Sequence, residues 1–415
     1  MNAPTSTTIT SCRSCGTSGL HPILDLGSTP LANALLDPAD AGVEPVFPLK
    51  LALCAQCSLL QITETVRPDV LFRNYFYRSS FSDSFLCHAR TIAERLTAQR
   101  RLGEGSLVVE VASNDGYLLQ WYKALGVPVL GIEPATNIAQ IAEQERGIPT
   151  INEFFGADLA NRLAGEGRRA DIIHANNVLA HVADLNGFVA GFRSLIKDEG
   201  LVVSESPYAR DFLDHTEFDT IYHEHLCYYS LTALDHLFRR HGLLIVDAER
   251  LDVHGGSLRI FATPERSGVS CSSAVEHLLA EERAAGVADP IAHQPFARRV
   301  GGIGQDLRRI IGELRAQGKT VAAYGAAAKG ATLLNFAGIG ADSLQFVADR
   351  SPLKQGRLMP GARLPIVAPE EIMRRRPDYL LILAWNFADE IMRQQQSYRD
   401  AGGRFIVPIP DVRII

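Results

Sequence analysis

The chain has 415 residues, 46% of them hydrophobic and 21% charged, which exceeds what one core organises, excludes a disordered chain and predicts two or three soluble globular domains. A formal net charge of −6, a pI near 6.1 and the lack of any basic run exclude general attraction to nucleic acid or to an anionic membrane. The opening MNAPTSTTITS has neither a basic nor an apolar leader region, and no apolar stretch is long enough to span a bilayer, so a cytoplasmic protein without a membrane partner is expected.

Two CxxC knuckles come first, Cys12 with Cys15 and Cys54 with Cys57, separated by 38 residues. Each knuckle can place two thiolates on one tetrahedral ion, and a closed shell of four leaves no position open for chemistry, so the pattern predicts structural zinc that governs stability. A redox dithiol is the other reading, weakened because no thioredoxin-like βαβ pattern surrounds either pair. Pro22, Pro30, Pro38, Pro45 and Pro48 keep the intervening chain from being mostly helix, and a loop-rich zinc module over 1–70 is expected. The scattered Cys87, Cys227 and Cys271 form no pattern.

An aromatic run at 71–77 and a helical stretch at 91–101 follow, and then SLVVEVA (106–112) reads as a buried parallel strand. The turn 113–116 leads into a helical pattern. The plan repeats: a strand ending at Glu133 with a helix from 137 to 146, a strand over 171–174 running into Asn176 and Asn177 with a helix through 184–196, and a strand over 200–204. Strands alternating with helices at this spacing predict a doubly wound α/β sheet over 71–290, with its ligand at the carboxyl ends of the strands.

Within 219–230, DTIYHEHLCYYS packs Tyr222, His223, Glu224 and His225 into four consecutive positions. Neutral imidazole takes up protons near pH 7, while phenol and carboxylate can orient it or hold developing charge, so the stretch suits an acid/base site. A solvated polar turn is the plainer alternative. In a helical turn Tyr222 and His225 share a face, whereas in an extended chain Tyr222 shares one with Glu224.

Farther on, His254, Gly255, Gly256 and Ser257 precede the strand LRIFAT, and a long charged helical stretch covers 272–316. A strand over 320–324 opens YGAAAKG and a helix through Phe336; strands at 344–348, 379–383 and 404–407 continue the pattern. This predicts a smaller Rossmann-like domain over 291–415. Gly255, Gly256 and Ser257 would let backbone approach a ligand closely, or simply form a turn. In YGAAAKG, beginning at Tyr324, small residues admit phosphates to helix amides and Lys329 adds charge; Arg350 lies near a strand end.

A carboxylate at the end of the second strand, beyond a glycine-containing first turn, is the arrangement that ties a ribose diol. The turn Ser113, Asn114, Asp115, Gly116 lacks the spacing of a dinucleotide site. From Glu110 to Gly116 the sequence EVASNDG instead resembles the first motif of class I methyltransferases, and GIEP, with Glu133 and Pro134, resembles the second. Ala112 and Asn114 stand where that motif often has glycine. S-adenosylmethionine has no pyrophosphate and needs fewer glycines beneath it.

Taken in order, the four-cysteine module, EVASNDG, GIEP, HANNVLAHV, DTIYHEHLCYYS, HGGSLR and YGAAAKG resemble the sugar C-methyltransferases of deoxysugar biosynthesis over essentially the whole chain. That resemblance implies methyl transfer from S-adenosylmethionine to carbon 3 of a nucleotide-linked 4-ketosugar, thymidine diphosphate being the family's habit. It implies cofactor binding by the middle domain, at Glu110, the 113–116 turn, Glu133 and Pro134, with Asn176 and Asn177 near cofactor or sugar. It also implies His225 as base, shared with or exchanged for His181, beside Tyr222 and Glu224. Tyr77, Gly255, Gly256, Ser257, Tyr324, Lys329 and Arg350 are its substrate contacts. His223 is expected to make a structural bond. Methyl transfer to oxygen or nitrogen, a nicotinamide oxidoreductase built on the carboxyl domain, and a non-enzymatic zinc-ribbon protein are the competing readings. Oligomeric state is left open, a monomer being compatible.

Overall fold

The computed structural model describes residues 5–40, 42–72, 78–81, 83–253, 255–266 and 268–415. In the amino-terminal part β1 (His21–Pro30), β2 (Val46–Leu53) and β3 (Leu60–Ile62) form an antiparallel meander, and a short ladder joins Ser6–Thr8 to Glu64–Val66. The helix Asp83–Arg100 then leads into a larger sheet.

That sheet begins with β4 (Val108–Val111), β5 (Val129–Ile132), β6 (Thr150–Ile151), β7 (Ala170–Asn176) and β8 (Ile196–Pro207). The four residues of β4 are all buried, as β-branched runs covered by helices on both faces must be. After β9 (Cys227–Tyr228), the hairpin of β10 (Leu243–Leu251) and β11 (Ser257–Pro264) completes it. The order is β10-β11-β8-β7-β4-β5-β6, parallel from β8 to β6, with β11 antiparallel to both of its neighbours. The chain reverses its winding between β4 and β7, and the crevice at their carboxyl ends is where such sheets take ligands.

The carboxyl third holds β12 (Val321–Tyr324), β13 (Val347–Ala348), β14 (Ile366–Val367), β15 (Tyr379–Ile382), β16 (Arg404–Val407) and β17 (Arg413–Ile414), ordered β14-β13-β12-β15-β16-β17. Only the β16-β17 pair is antiparallel. The doubly wound sheet and the second, smaller α/β unit expected from the sequence are both present. The single helical stretch expected over 272–316 is two helices, Ser273–Ala284 and Gln294–Ala316. Gly286 at φ +71° and Pro290, in a 3-10 turn capped by the Asp289 carboxylate, break it.

One strand crosses between parts. β9 pairs antiparallel with β3, so the amino-terminal sheet reads β9-β3-β2-β1 and its edge is supplied by the polar segment after Tyr222. The first knuckle also docks on the middle sheet's helix Leu185–Leu195, whose Asn186 Nδ2 donates to Arg13 O at 3.0 Å and Ser14 O at 3.1 Å.

Candidate active site

The polar segment folds as a turn. His225 N donates to Tyr222 O at 2.8 Å, which puts the two side chains on one face and brings Tyr222 Oη to 2.9 Å from His225 Nε2. Of the two geometries open in the sequence, the helical one is adopted. His225 Nδ1 lies 2.9 Å from Thr220 O; a carbonyl only accepts, so Nδ1 carries the hydrogen and Nε2 the lone pair. His181, on the turn Leu179–His181, is held by two backbone groups: its Nδ1 donates to Glu224 O at 2.7 Å, and Asn177 is the second partner. The two imidazoles face each other with ring centroids 4.9 Å apart. Burial, then His181 and Lys329, hold His225 well below the usual imidazole range, and burial lowers His181. Both are neutral at pH 7.

Glu224 is buried, and Asn33 Nδ2 donates to its Oε1 at 2.7 Å; burial pushes this carboxyl up to about 7. His223 turns away, its Nε2 donating to Pro48 O at 3.1 Å and its ring packing edge-on against Phe47, a structural position. Tyr222 and His225 keep part of their surface open, whereas His223 and Glu224 do not.

Beside this turn lie two further carboxylates that no motif spacing marks. Asp219 is fully buried, accepts from Trp385 Nε1 at 2.7 Å and is raised to about 6 by burial, with Lys329 opposing. Glu217 is raised to about 7 for the same reasons. Lys329 sits with its Nζ 5.0 Å from the centroid of the Trp385 indole, at the start of the helix Ala328–Ala337. Asp219 stood in the quoted motif but carried no spacing signal. Asn33 and Trp385 carried none at all.

At the mouth between β4 and β7, Glu133 follows β5 and accepts from Asn114 N at 3.0 Å and Ala135 N at 2.8 Å; burial raises it to about 7. Ala112, Asn114 and Asn177 adopt left-handed backbone, as does Gly116, so the turn reaches with alanine and asparagine what glycine supplies more cheaply. Tyr117 bridges Glu110 and Asn176 through its hydroxyl. Ser113 Oγ lies under Gly131, where any side chain would collide with it. Pro134 is half-buried beside Glu133.

The other expected substrate contacts lie before β11 and on the carboxyl sheet. Gly255 and Gly256, at φ +95° and +129°, stand where a Cβ would strike the Glu217 and Asp211 carboxylates, so their absence of a side chain serves internal packing. Ser257 is buried at the start of β11 and donates to Val253 O at 3.0 Å. Tyr324 ends β12 with burial raising its phenol, while Arg350 is exposed. Tyr77 and His254 lie outside the described residues.

The four cysteines come together. Cys12 and Cys57 Sγ are 3.6 Å apart, Cys15 and Cys54 3.5 Å, and all four sulfurs lie within 4.8 Å of one another. Tetrahedral zinc with bonds near 2.3 Å requires sulfurs about 3.8 Å apart, so the donor set fits. Hydrogen bonding from Cys57 first, and from Gln61 among others, draws Cys12 down to about 4. The mouth between β4 and β7 fits S-adenosylmethionine in the same sense. Among the described residues Glu110 Oε2, Asp115 Oδ1 and Asn176 Oδ1 are buried acceptors without a partner, matching a ligand that carries a sulfonium, an ammonium and ribose hydroxyls.

A doubly wound sheet with one antiparallel strand, an acidic residue ending its second strand and a capping zinc module define a class I methyltransferase. Family models agree in chain order: a zinc binding domain over residues 12–72, a methyltransferase domain over 85–248 and a C-methyltransferase C-terminal domain over 252–410. C-methyltransferase NovU of Streptomyces niveus is 40% identical over 408 residues, 98% of this chain and 97% of that one. The chain belongs to the C-methyltransferase family, whose methyl donor is S-adenosylmethionine. A ubiquinone biosynthesis O-methyltransferase of Bartonella quintana is 26% identical over 99 residues, covering 24% of this chain and 40% of that one. Among solved structures, the PH0226 protein of Pyrococcus horikoshii matches 46% of this chain and 95% of its own at 14% identity and a TM-score of 0.37. No helix among the described residues is long and apolar enough to cross a membrane.

Proposed function

We propose that the protein methylates carbon 3 of a nucleotide-linked 4-ketosugar, with His225 removing the C3 proton. Carbon is a poor nucleophile until a C–H bond is ionised, and a ketone at C4 makes the neighbouring hydrogen acidic. A base, a group for the enolate oxygen and alignment with the methyl donor are therefore all needed. S-adenosylmethionine supplies the electrophilic methyl.

The observation that carries the reading is the orientation of His225: Nδ1–H is tied to Thr220 O, which leaves the lone pair on Nε2, against Tyr222 Oη, on a half-open surface. Nε2 takes the proton, and the Tyr222 hydroxyl, released from it, is placed to donate to the enolate oxygen. His181, tied through its own Nδ1–H to Glu224 O, presents a second neutral imidazole 4.9 Å away that can share the proton. Glu110, the 113–116 turn, Glu133, Pro134, Asn176 and Asn177 hold the donor; Lys329 and Tyr324 face the carboxyl sheet's switch point, between β12 and β15, where a nucleotide would lie. NovU is named a C-methyltransferase, which favours carbon over oxygen or nitrogen as acceptor.

The test is solvent deuterium exchange at C3 of a TDP-linked 4-ketosugar, without methyl transfer. His225→Ala should lose exchange by about 10²- to 10⁴-fold, the worth of a positioned base, while S-adenosylmethionine affinity stays near wild type. Undiminished exchange rejects His225, and methylation of a deoxy analogue lacking the ketone rejects the enolate route.

A further inference from the structure

The metal shell is closed, yet its surroundings lead directly to the turn that carries His225. Gln61 is fully buried; its Nε2 donates to Cys12 Sγ at 3.2 Å, and its backbone is a ladder partner of Cys227. Its Oε1 accepts from Arg13 N at 3.0 Å, so the amide is held at both ends within the first knuckle. One residue along, Ile62 N donates to Leu226 O at 2.9 Å. The chain from a metal-binding sulfur to the residue after His225 is therefore one side chain and one rung of sheet.

A second line starts from the loop after β1. Asn33 is exposed, but its amide reaches Glu224, and the backbone carbonyl of Glu224, with that of Asn177, holds the His181 ring. His223 adds a third anchor, on Pro48 O in β2. By contrast, among the bonds made by segment 222–226 to the middle domain's sheet side are Leu226 N to Ala180 O and the His181 bond itself. The segment is thus strung between the two parts, with the module gripping it at residues 223, 224, 226 and 227.

We propose that the four-cysteine module is the arm that holds the catalytic turn in place, with Asn33 and Gln61 as positioning residues, so that filling the metal site governs turnover as well as stability. Through these bonds the module holds the reacting groups in the way that outer partners of a site orient the groups that touch substrate. This rests on the reading of 222–225 as the acid/base segment.

The experiment compares wild type, Asn33→Ala, Gln61→Leu and His225→Ala, with wild type stripped of zinc by a chelator. Each is read for zinc per chain, S-adenosylmethionine affinity by calorimetry, melting temperature, and kcat, KM and C3 deuterium exchange with TDP-4-keto-6-deoxyglucose. Asn33→Ala decides, because its exposed side chain bonds Glu224 rather than a cysteine: zinc content, melting temperature and cofactor affinity should stay at wild type while kcat and exchange fall together by about 10- to 100-fold and KM changes little. Gln61→Leu and the zinc-stripped enzyme should lose exchange while still binding the cofactor. Wild-type exchange in Asn33→Ala, or in zinc-stripped enzyme, overturns the proposal. Wild-type exchange in His225→Ala overturns the underlying reading instead, a result separable from the first because it leaves the module's variants intact.

Discussion

Ionisation of single residues sets the expected pH behaviour of the site. Because burial, then His181 and Lys329, depress His225, its base form persists below pH 6.5, and the acid limb of kcat/KM should fall below the ordinary imidazole range rather than at it. Glu224 titrates near 7, so a second inflection is expected there. Glu224→Gln keeps the Asn33 contact through its side-chain carbonyl and should abolish that inflection while retaining folding; a profile identical to wild type would show that Glu224 does not report on catalysis. The segment stands out in the sequence because two imidazoles, a phenol and a carboxylate in four positions are costly to bury unless each finds a hydrogen-bond partner. Its geometry does not, since a turn and an extended chain present different pairs, and the choice is made by Thr220 O and by a strand from the opposite end of the chain. Asn33 could not be found at all: it lies 191 residues from its partner, in a loop of ordinary composition.

Elements tell the same story with different limits. The parallel strands were readable because burial on both faces demands uninterrupted apolar runs, and β16 is found where the run at 404–407 placed it. The two-residue β9 and the hairpin of β10 with β11 were not read as a unit. β9 is polar in context and exists because β3 needs an edge partner, and in β10 exposed and buried residues are mixed by a register shift between Ile245 and Asp247. The cysteine knuckles were legible from spacing alone. Cys12→Ser with Cys54→Ser leaves an incomplete shell beside a small sheet whose segment carries five prolines. The pair should lower the melting temperature by many degrees and abolish bound zinc, as measured by calorimetry and metal analysis. Retained stability with no zinc would mean that the sheet, completed by β9, is sufficient without the ion.

Across the whole molecule, two sets of buried groups make stability respond to pH in opposite senses. Glu133, Glu217 and Glu224 near 7 and Asp219 near 6 are raised by burial, so what they contribute is fully present below about 4.5 and is lost as pH rises through 7. His174, at about 3, and His181, His223, His225 and His293 are lowered by burial; their contribution is present above 6.5 and is lost as pH falls. Between pH 5 and 7 the native state keeps protons on the acids and refuses them on the imidazoles, so the two slopes oppose and the wild-type melting temperature should vary little there. Removing one acid exposes the balance. Glu217 is almost fully buried, and a rise from 4.5 to about 7 corresponds to a penalty on the order of 3 kcal/mol for keeping it ionised at pH 8. Glu217→Gln should therefore raise the melting temperature at pH 8, and the gain should shrink to nothing by pH 5, where the wild-type carboxyl is already protonated. Thermal scans of both proteins from pH 5 to 8.5 decide the matter. A variant that loses stability increasingly as pH rises would mean that Glu217 is ionised in the native state and serves as the anionic partner of Lys329 and His215, and the sign of its contribution would be reversed.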